Sequence, residues 1–79
     1  MTREEVYATV GQILNIKPEE VTPETGAETS PDWDSLAHIN ILTALDEKTN
    51  GKIAEIDDFM EASSVEKICA AMSQNGLLS

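Results

Sequence analysis

Ser35 has the hydroxyl whose surroundings most suggest chemistry in this sequence, because it stands where an apolar helical pattern begins. It follows Asp34 within the stretch PDWDSLAHINIL, residues 31–42. A serine that acts as an enzymatic nucleophile needs a neighbouring base, and no histidine or cysteine lies within one helical turn before Ser35. Two interpretations follow: a serine that only starts a helix, or a serine to which another group is attached.

Size and composition predict one folded domain over residues 1–79. The apolar residues, 41% of the chain, recur with helical periodicity, which argues against disorder despite the high charge. The single cysteine, Cys69, excludes an internal disulfide and favours a reducing compartment. No apolar run approaches the roughly 18 residues of a membrane span, and no secretion signal opens the chain. We therefore expect a cytoplasmic protein.

The charge balance of the chain indicates which kinds of molecule it could bind. Fifteen acidic residues against five basic ones give a net charge of −10. Such a surface repels the phosphates of nucleic acids and of anionic lipids, which are bound by basic patches. It attracts proteins that present lysine and arginine. We predict a monomer that binds proteins, without binding nucleic acid or inserting into a membrane.

The pattern of apolar residues predicts an all-α chain, with three longer helices and one short one. The expected helices span residues 3–14, 35–50, about 56–62, and from 63 to a stop at Gly76. The signals that bound them are capping boxes at Thr2 with Glu5 and at Ser63 with Glu66, Asp34 as an N-cap, and Gly51 as a C′ residue.

A long connection, residues 15–34, joins the first two helices and contains three prolines and one expected helical turn near 18–21. Connections longer than about 12–15 residues are usually functional or disordered, and this one leads to Ser35. Four helices in this order predict a small antiparallel four-helix bundle.

The predicted core includes one stripe of the second helix and three sulfur-containing side chains. Gly11, inside the first helix, indicates a tight packing contact, because glycine there costs about 1 kcal/mol relative to alanine. The stripe consists of Leu36, Ile39, Leu42 and Leu45, and the sulfur-containing residues are Met60, Cys69 and Met72.

The motif Asp34–Ser35–Leu36, followed by a helix that ends in ALDEKTNGKI, resembles the attachment motif of acyl carrier proteins. The resemblance extends over nearly the whole chain, with NIKPEEVTPET in the long connection and SSVEKI opening the last helix. It implies an acyl-carrier-protein-like four-helix bundle in which Ser35 carries 4′-phosphopantetheine derived from coenzyme A, with Asp34 and Leu36 completing the motif. A helix N-terminus favours such a phosphate through its free N–H groups and its dipole.

The resemblance implies a carrier of acyl thioesters that is handled by enzymes and is not itself an enzyme. The implied partners are a phosphopantetheinyl transferase and a loading ligase, ketosynthase or acyltransferase with basic docking patches. Two alternatives stay open: a peptidyl or aminoacyl carrier loaded by an adenylating ligase, and an acidic interaction module without a cofactor.

The residues after the motif differ from the commonest pattern of carriers in fatty acid synthesis. Ala37, His38 and Asn40 stand where acidic residues are usual, and Thr49 replaces an aromatic residue. The tryptophan before Asp34 and the continuation SLAHINIL are more similar to free-standing bacterial carriers of specialised pathways, so we expect a carrier for fatty-acid, polyketide or other specialised biosynthesis.

Several residues have competing interpretations. Met60 and Met72 either fill gaps in the small core or form a deformable lining for an acyl chain. Trp33 either packs across the bundle or contacts partners, since tryptophan is enriched at binding hot spots. For His38 we favour a solvated helix residue over a contact to the attached phosphate, one turn from Ser35. The predicted partner contacts are Trp33, Asp46, Glu47, Asp57, Asp58 and Glu61.

A calcium-binding loop is the remaining hypothesis for the acidic residues. An EF-hand template that starts at Asp46 places Gly51 correctly at its sixth position. It also places Lys48 and Ala54 where ligands belong, and it lacks the bidentate glutamate. We therefore predict no specific metal site.

Overall fold

The computed structural model describes residues 1–78 as three α-helices joined by two 3-10 turns. The helices are α1 (Arg3–Leu14), α2 (Ser35–Lys48) and α3 (Val65–Gln74), and the 3-10 turns span Pro18–Glu20 and Asp57–Glu61. An isolated antiparallel bridge pairs Gly26 with Ser64. The all-α prediction is confirmed, whereas the fourth α-helix is replaced by the five-residue turn at Asp57–Glu61. Helix nucleation is costly, so a segment this short adopts the tighter 3-10 form.

The first helix starts as its sequence predicts. The backbone N–H of Glu5 donates to Thr2 Oγ1 at 3.2 Å, and the backbone N–H of Thr2 donates to Glu5 Oε1 at 3.1 Å. These bonds complete the capping box. At Gly11, an added Cβ would lie 2.9 Å from the carbonyl oxygen of Ile16, so the predicted tight contact is present.

Two predicted cap positions are wrong by one residue. The N-cap of α3 is Ser64, whose Oγ accepts from the Lys67 N–H at 3.2 Å, and Ser63 with Glu66 forms no capping box. At the end of α2, Asn50 holds the left-handed C′ position with a φ of 58°. Gly51 follows it, and its N–H donates to the Asp46 carbonyl at 2.9 Å, as in a Schellman motif.

The buried face of α2 differs from the predicted stripe. Ala37, Ile41 and Leu45 are buried, whereas Leu36 and Ile39 are 68% and 54% exposed. A spacing of three residues drifts by about 60° per step around a helix of 3.6 residues per turn. A spacing of four drifts by only about 40°, so the Ala37 stripe faces the bundle along the whole helix.

The core gathers one face of each helix around the segments that connect them. From α1 it takes Val6, Val10 and Leu14, and from α3 it takes Val65, Ile68, Cys69, Ala71 and Met72. A polar contact also joins α1 to α2, where Lys48 Nζ donates to the buried Thr9 Oγ1 at 2.7 Å. Among residues 1–78, no helix has the length and apolar character needed to cross a bilayer.

The long connection is held against the start of α3 by backbone hydrogen bonds. The Val65 N–H donates to the Thr25 carbonyl at 2.8 Å, and the Glu66 N–H donates to the Pro23 carbonyl at 3.0 Å. Ala27 donates in turn to the Ser63 carbonyl at 2.9 Å. The connection therefore has a fixed course toward Ser35.

Gly26 makes this course possible, and replacing it should destabilise the protein. A Cβ at Gly26 would clash with the Ser63 carbonyl oxygen and lie 2.8 Å from the Ser64 Cα. Because both contacts are backbone atoms, we expect Gly26→Ala to lower the free energy of unfolding by about 1–3 kcal/mol. Denaturant titration would measure this loss.

The matched control is Glu28→Ala, which removes an exposed side chain from the same connection. That variant should stay within about 0.5 kcal/mol of the wild type. A Gly26→Ala protein as stable as the Glu28→Ala protein would contradict the close approach at Gly26.

Candidate functional site

Ser35 is the first residue of α2, and its side chain is exposed. The preceding residue, Asp34, is the N-cap, as predicted: its Oδ1 accepts from the Ala37 N–H at 2.8 Å. Aspartate suits this position because its carboxylate also meets the positive end of the helix dipole. The local sequence thus starts the helix at a fixed residue and presents the Ser35 hydroxyl at its end.

An open cavity of about 480 Å³ lies beside Ser35. Segments distant in the sequence form its wall, since the long connection, α2 and the Asp57–Glu61 turn all contribute. Its lining residues are Ala27, Trp33, Asp34, Ser35, His38, Ile39, Met60 and Ser63.

A second, more apolar groove of about 360 Å³ continues from this cavity between α2 and residues 53–60. Ile39 and Met60 line both spaces, so they stand where the two meet. Leu42, Ile53, Ile56 and Phe59 supply further apolar walls, and Thr43, Asp46 and Asp57 supply polar ones.

Large apolar side chains are exposed around this site. Leu36, Ile39 and Met60 are 68%, 54% and 67% exposed. Met60 therefore does not fill the core, which was one of the two roles predicted for it, while Met72 is fully buried. Exposed apolar side chains that cluster near one functional group are characteristic of interaction sites.

His38 is half-buried and both of its ring nitrogens have protein partners, so the favoured prediction of a solvated helix residue is wrong. Its Nδ1 accepts from the indole N–H of Trp33 at 3.2 Å, and its Nε2 lies 3.0 Å from the Phe59 carbonyl oxygen. An indole N–H can only donate. The neutral ring therefore carries its proton on Nε2, which donates to Phe59.

The structure separates the two interpretations of Trp33. Its side chain is 4% exposed and belongs to the core cluster. Trp33 therefore packs in the core, as one of the two interpretations predicted, and it also lines the cavity beside Ser35.

The predicted acidic contacts lie in different places. Asp46 and Asp57 line the apolar groove, whereas Asp58 and Glu61 line a separate cavity against α3. Glu47 is exposed on α2. The groove and the α3 side of the turn thus each have acidic groups.

Asp46 also has a local structural role, because its Oδ1 accepts from the Ala54 N–H at 2.9 Å and holds the loop after α2. Among the described residues, no group of three or more histidine, cysteine or acidic side chains could hold a metal ion.

Neither the histidine nor the cysteine of this chain is available to activate or replace the Ser35 hydroxyl. His38 is the sole histidine, and its ring nitrogens bind Trp33 and Phe59. Cys69 is buried in α3, and desolvation raises the pKa of its thiol, which the charge of Arg3 only partly offsets. The site therefore presents a hydroxyl without a histidine or cysteine to activate it, and the neighbouring Asp34 is bound as the cap of α2.

Sequence reasoning missed the exposed apolar cluster and the His38 bridge. The cluster had a signal in the helical angles of Leu36 and Ile39, which point away from Ile41 and Leu45. The bridge had no local signal, because its far partner lies 21 residues away along the chain.

Comparisons with models of protein families, with curated proteins and with solved structures give no match to this chain.

The cap of α2 can be tested apart from any recognition of the motif. Asp34→Ala should lower the free energy of unfolding by about 1 kcal/mol, because the Ala37 N–H loses its acceptor. The free energy of unfolding of Asp34→Asn should remain within a few tenths of a kcal/mol of the wild type, because asparagine and aspartate cap helices about equally well. Equal stability of both variants in denaturant titrations would exclude a stabilising cap.

Proposed function

We propose that this protein is a carrier of acyl groups, bound as thioesters to a 4′-phosphopantetheine group on Ser35. The observation that carries the proposal is an exposed serine at the N-terminus of a capped helix, beside an open cavity and an exposed apolar cluster. This arrangement supports the resemblance of Asp34–Ser35–Leu36 to the motif of acyl carrier proteins.

The residues around Ser35 fit an attached phosphodiester with an elongated arm. The hydroxyl is exposed, and the cavity next to it is open. The positive end of the α2 dipole favours a phosphate there, in opposition to the repulsion from Asp34. Ile39 and Met60 provide apolar contacts at the junction of the cavity with the groove.

We assign the attachment step to a partner enzyme, because neither His38 nor Cys69 is available to activate Ser35. Oγ of Ser35 attacks the phosphorus of coenzyme A that bears the pantetheine, and a new P–O bond forms. The bond to the bridging oxygen breaks, adenosine 3′,5′-bisphosphate leaves, and the hydroxyl proton passes to a base of the transferase. Once attached, the group supplies a thiol that carries the acyl chain as a thioester.

The first test is the mass of the intact protein. Incubation with coenzyme A and a broad-specificity phosphopantetheinyl transferase should add one phosphopantetheine to the wild type and none to Ser35→Ala. Ser35→Ala should keep its stability within about 0.5 kcal/mol, because the change is at the surface and Asp34 still caps α2.

Two variants control for other hydroxyls. Ser30→Ala and Ser63→Ala should be loaded like the wild type. Addition to Ser35→Ala would refute the attachment site, and an unmodified wild type would leave the cofactor-free interaction module as the better hypothesis. Loading followed by acylation only through an adenylating ligase would instead identify a peptidyl or aminoacyl carrier.

The second test addresses the docking surface, for which we propose the exposed start of α2 and the acidic turn at Asp57–Glu61. Acidic side chains at the rim of an interface mainly accelerate association with a basic partner. Reversal of Asp57 and Asp58 to lysine should therefore slow the loading of Ser35 at low salt, and added salt should shrink the difference.

A charge-matched control is available in the other 3-10 turn. Glu19 and Glu20 are also exposed, and their reversal to lysine changes the net charge by the same amount. If both double variants are slowed equally, only the net charge matters, and a specific acidic docking surface is wrong.

A further inference from the structure

His38 joins three segments of the chain at the cavity beside Ser35. The ring stands on α2, one turn after Ser35, and its two nitrogens bind Trp33 at 3.2 Å and Phe59 at 3.0 Å. Trp33 ends the long connection directly before Asp34, and Phe59 belongs to the Asp57–Glu61 turn. One side chain therefore links the approach to Ser35 with the turn on the other side of the cavity.

The His38 bond ties the turn to α2 in addition to the local hydrogen bonds of the turn and the buried side chain of Phe59. The backbone bonds made by Phe59 are local, from its N–H to the Ile56 carbonyl and from the Ala62 N–H to its own carbonyl. The bond from His38 is the one that connects the Phe59 carbonyl to a helix. The exposed Met60 follows directly, so the position of Met60 opposite Ile39 depends on where Phe59 is held.

Both bonds exist together in only one protonation state of the imidazole. Nδ1 must keep its lone pair to accept from the indole, and Nε2 must carry the proton to donate to the carbonyl. A second proton would sit on Nδ1, facing the indole N–H of Trp33, and two donors would then oppose each other. The two bonds to Trp33 and Phe59 therefore define one tautomer of the neutral ring.

We propose that His38 is a positioning residue, which in its neutral form with the proton on Nε2 holds Trp33 and the Asp57–Glu61 turn at the spacing that the site around Ser35 requires. The inference rests on the proposed function for its purpose, because the surface that is held is the one a loading enzyme must approach. Its structural content, two bonds made by one ring, is independent of that function.

The charged groups around the cavity have other partners or line other surfaces. Of the eight residues that line the cavity, Asp34 is the other titratable one, and its Oδ1 is bound to the Ala37 N–H. From the Asp57–Glu61 turn, Asp57 lines the apolar groove, and Asp58 and Glu61 line the cavity against α3. From the long connection, the cavity is lined by Ala27 and the uncharged Trp33 before Asp34.

Two amide variants separate the bonds. In His38→Asn, the side-chain oxygen stands as many bonds from Cα as Nδ1 does, so it can accept from Trp33 but cannot reach Phe59. In His38→Gln, the side-chain nitrogen stands as many bonds from Cα as Nε2 does, so it can donate to Phe59. Neither amide titrates, and His38→Phe removes both bonds while keeping a ring.

Hydrogen exchange measures the link to the turn. The amide protons of residues 59–62 should exchange roughly five- to tenfold faster in His38→Asn and His38→Phe, as expected for loss of one hydrogen bond. They should exchange at close to the wild-type rate in His38→Gln. Exchange in α1 serves as the internal control, because a general loss of stability would accelerate it as well.

Nuclear magnetic resonance measures the link to Trp33, which has the single indole N–H of the chain. Its resonance should shift in His38→Phe, which removes the acceptor, and should stay close to the wild type in His38→Asn, which keeps one. An indole resonance that is unchanged in His38→Phe would overturn the proposal, as would wild-type exchange of residues 59–62 in His38→Asn.

The rate of Ser35 loading connects the link to function. Loading should be slowed severalfold in His38→Phe, which loses both bonds, and less in His38→Asn and His38→Gln, which each keep one. Altered exchange without any loading of the wild type would refute the proposed function alone. Equal loading of all variants, despite altered exchange in His38→Asn, would refute the positioning role and leave attachment at Ser35 intact.

Discussion

The position of Ser35 depends on the pairing between the long connection and the residues that begin α3. Backbone groups of Pro23, Thr25 and Ala27 bind Ser63, Val65 and Glu66 across this contact, and Gly26 leaves room for the two backbones to meet. Without this pairing, the twenty residues of the connection could reach Asp34 in many conformations, and this loop would keep more conformational entropy. With it, the loop arrives at α2 in one position, and the cavity beside Ser35 has a defined wall.

The same end of the molecule leaves apolar surface in contact with water. Burial of a leucine or isoleucine side chain contributes about 1.5–3 kcal/mol, and the fold forgoes that contribution at Leu36 and Ile39. A protein of 79 residues is only marginally stable, because it buries a smaller fraction of its surface on folding than a larger domain does. The exposed cluster therefore fits a surface that is covered only when another molecule binds, which is what the proposed carrier function requires.

Local signals in the sequence were sufficient for the helices and for much of the site. Asp34 caps α2 through its own neighbours, and the α1 capping box is complete within four residues, so both could be predicted. The cap of α3 was predicted at Ser63, one residue too early, because a contact from far away places the cap at Ser64. Because the Ser63 carbonyl accepts from Ala27, that residue belongs to the loop contact, and Ser64 caps the helix.

The features that sequence reasoning missed are those set by tertiary contacts. Whether Leu36 or Ala37 faces the bundle depends on how α2 is rotated against its neighbours. In this structure the smaller residue, Ala37, faces the bundle, and Leu36 is exposed. The buried indole of Trp33 needs an acceptor, and the ring of His38 supplies it. A polar residue on a helix surface gives no sign of such a bond in the sequence.

The burial of Cys69 has a chemical consequence for a carrier that works through a sulfur atom. Thiol reagents attack the thiolate, and desolvation by the core keeps the Cys69 sulfur protonated and covered. In the folded protein, the Cys69 sulfur is therefore a poor target for alkylation or oxidation. Under the proposed function, its burial would also protect an acyl thioester on Ser35 from exchange with the protein's own cysteine.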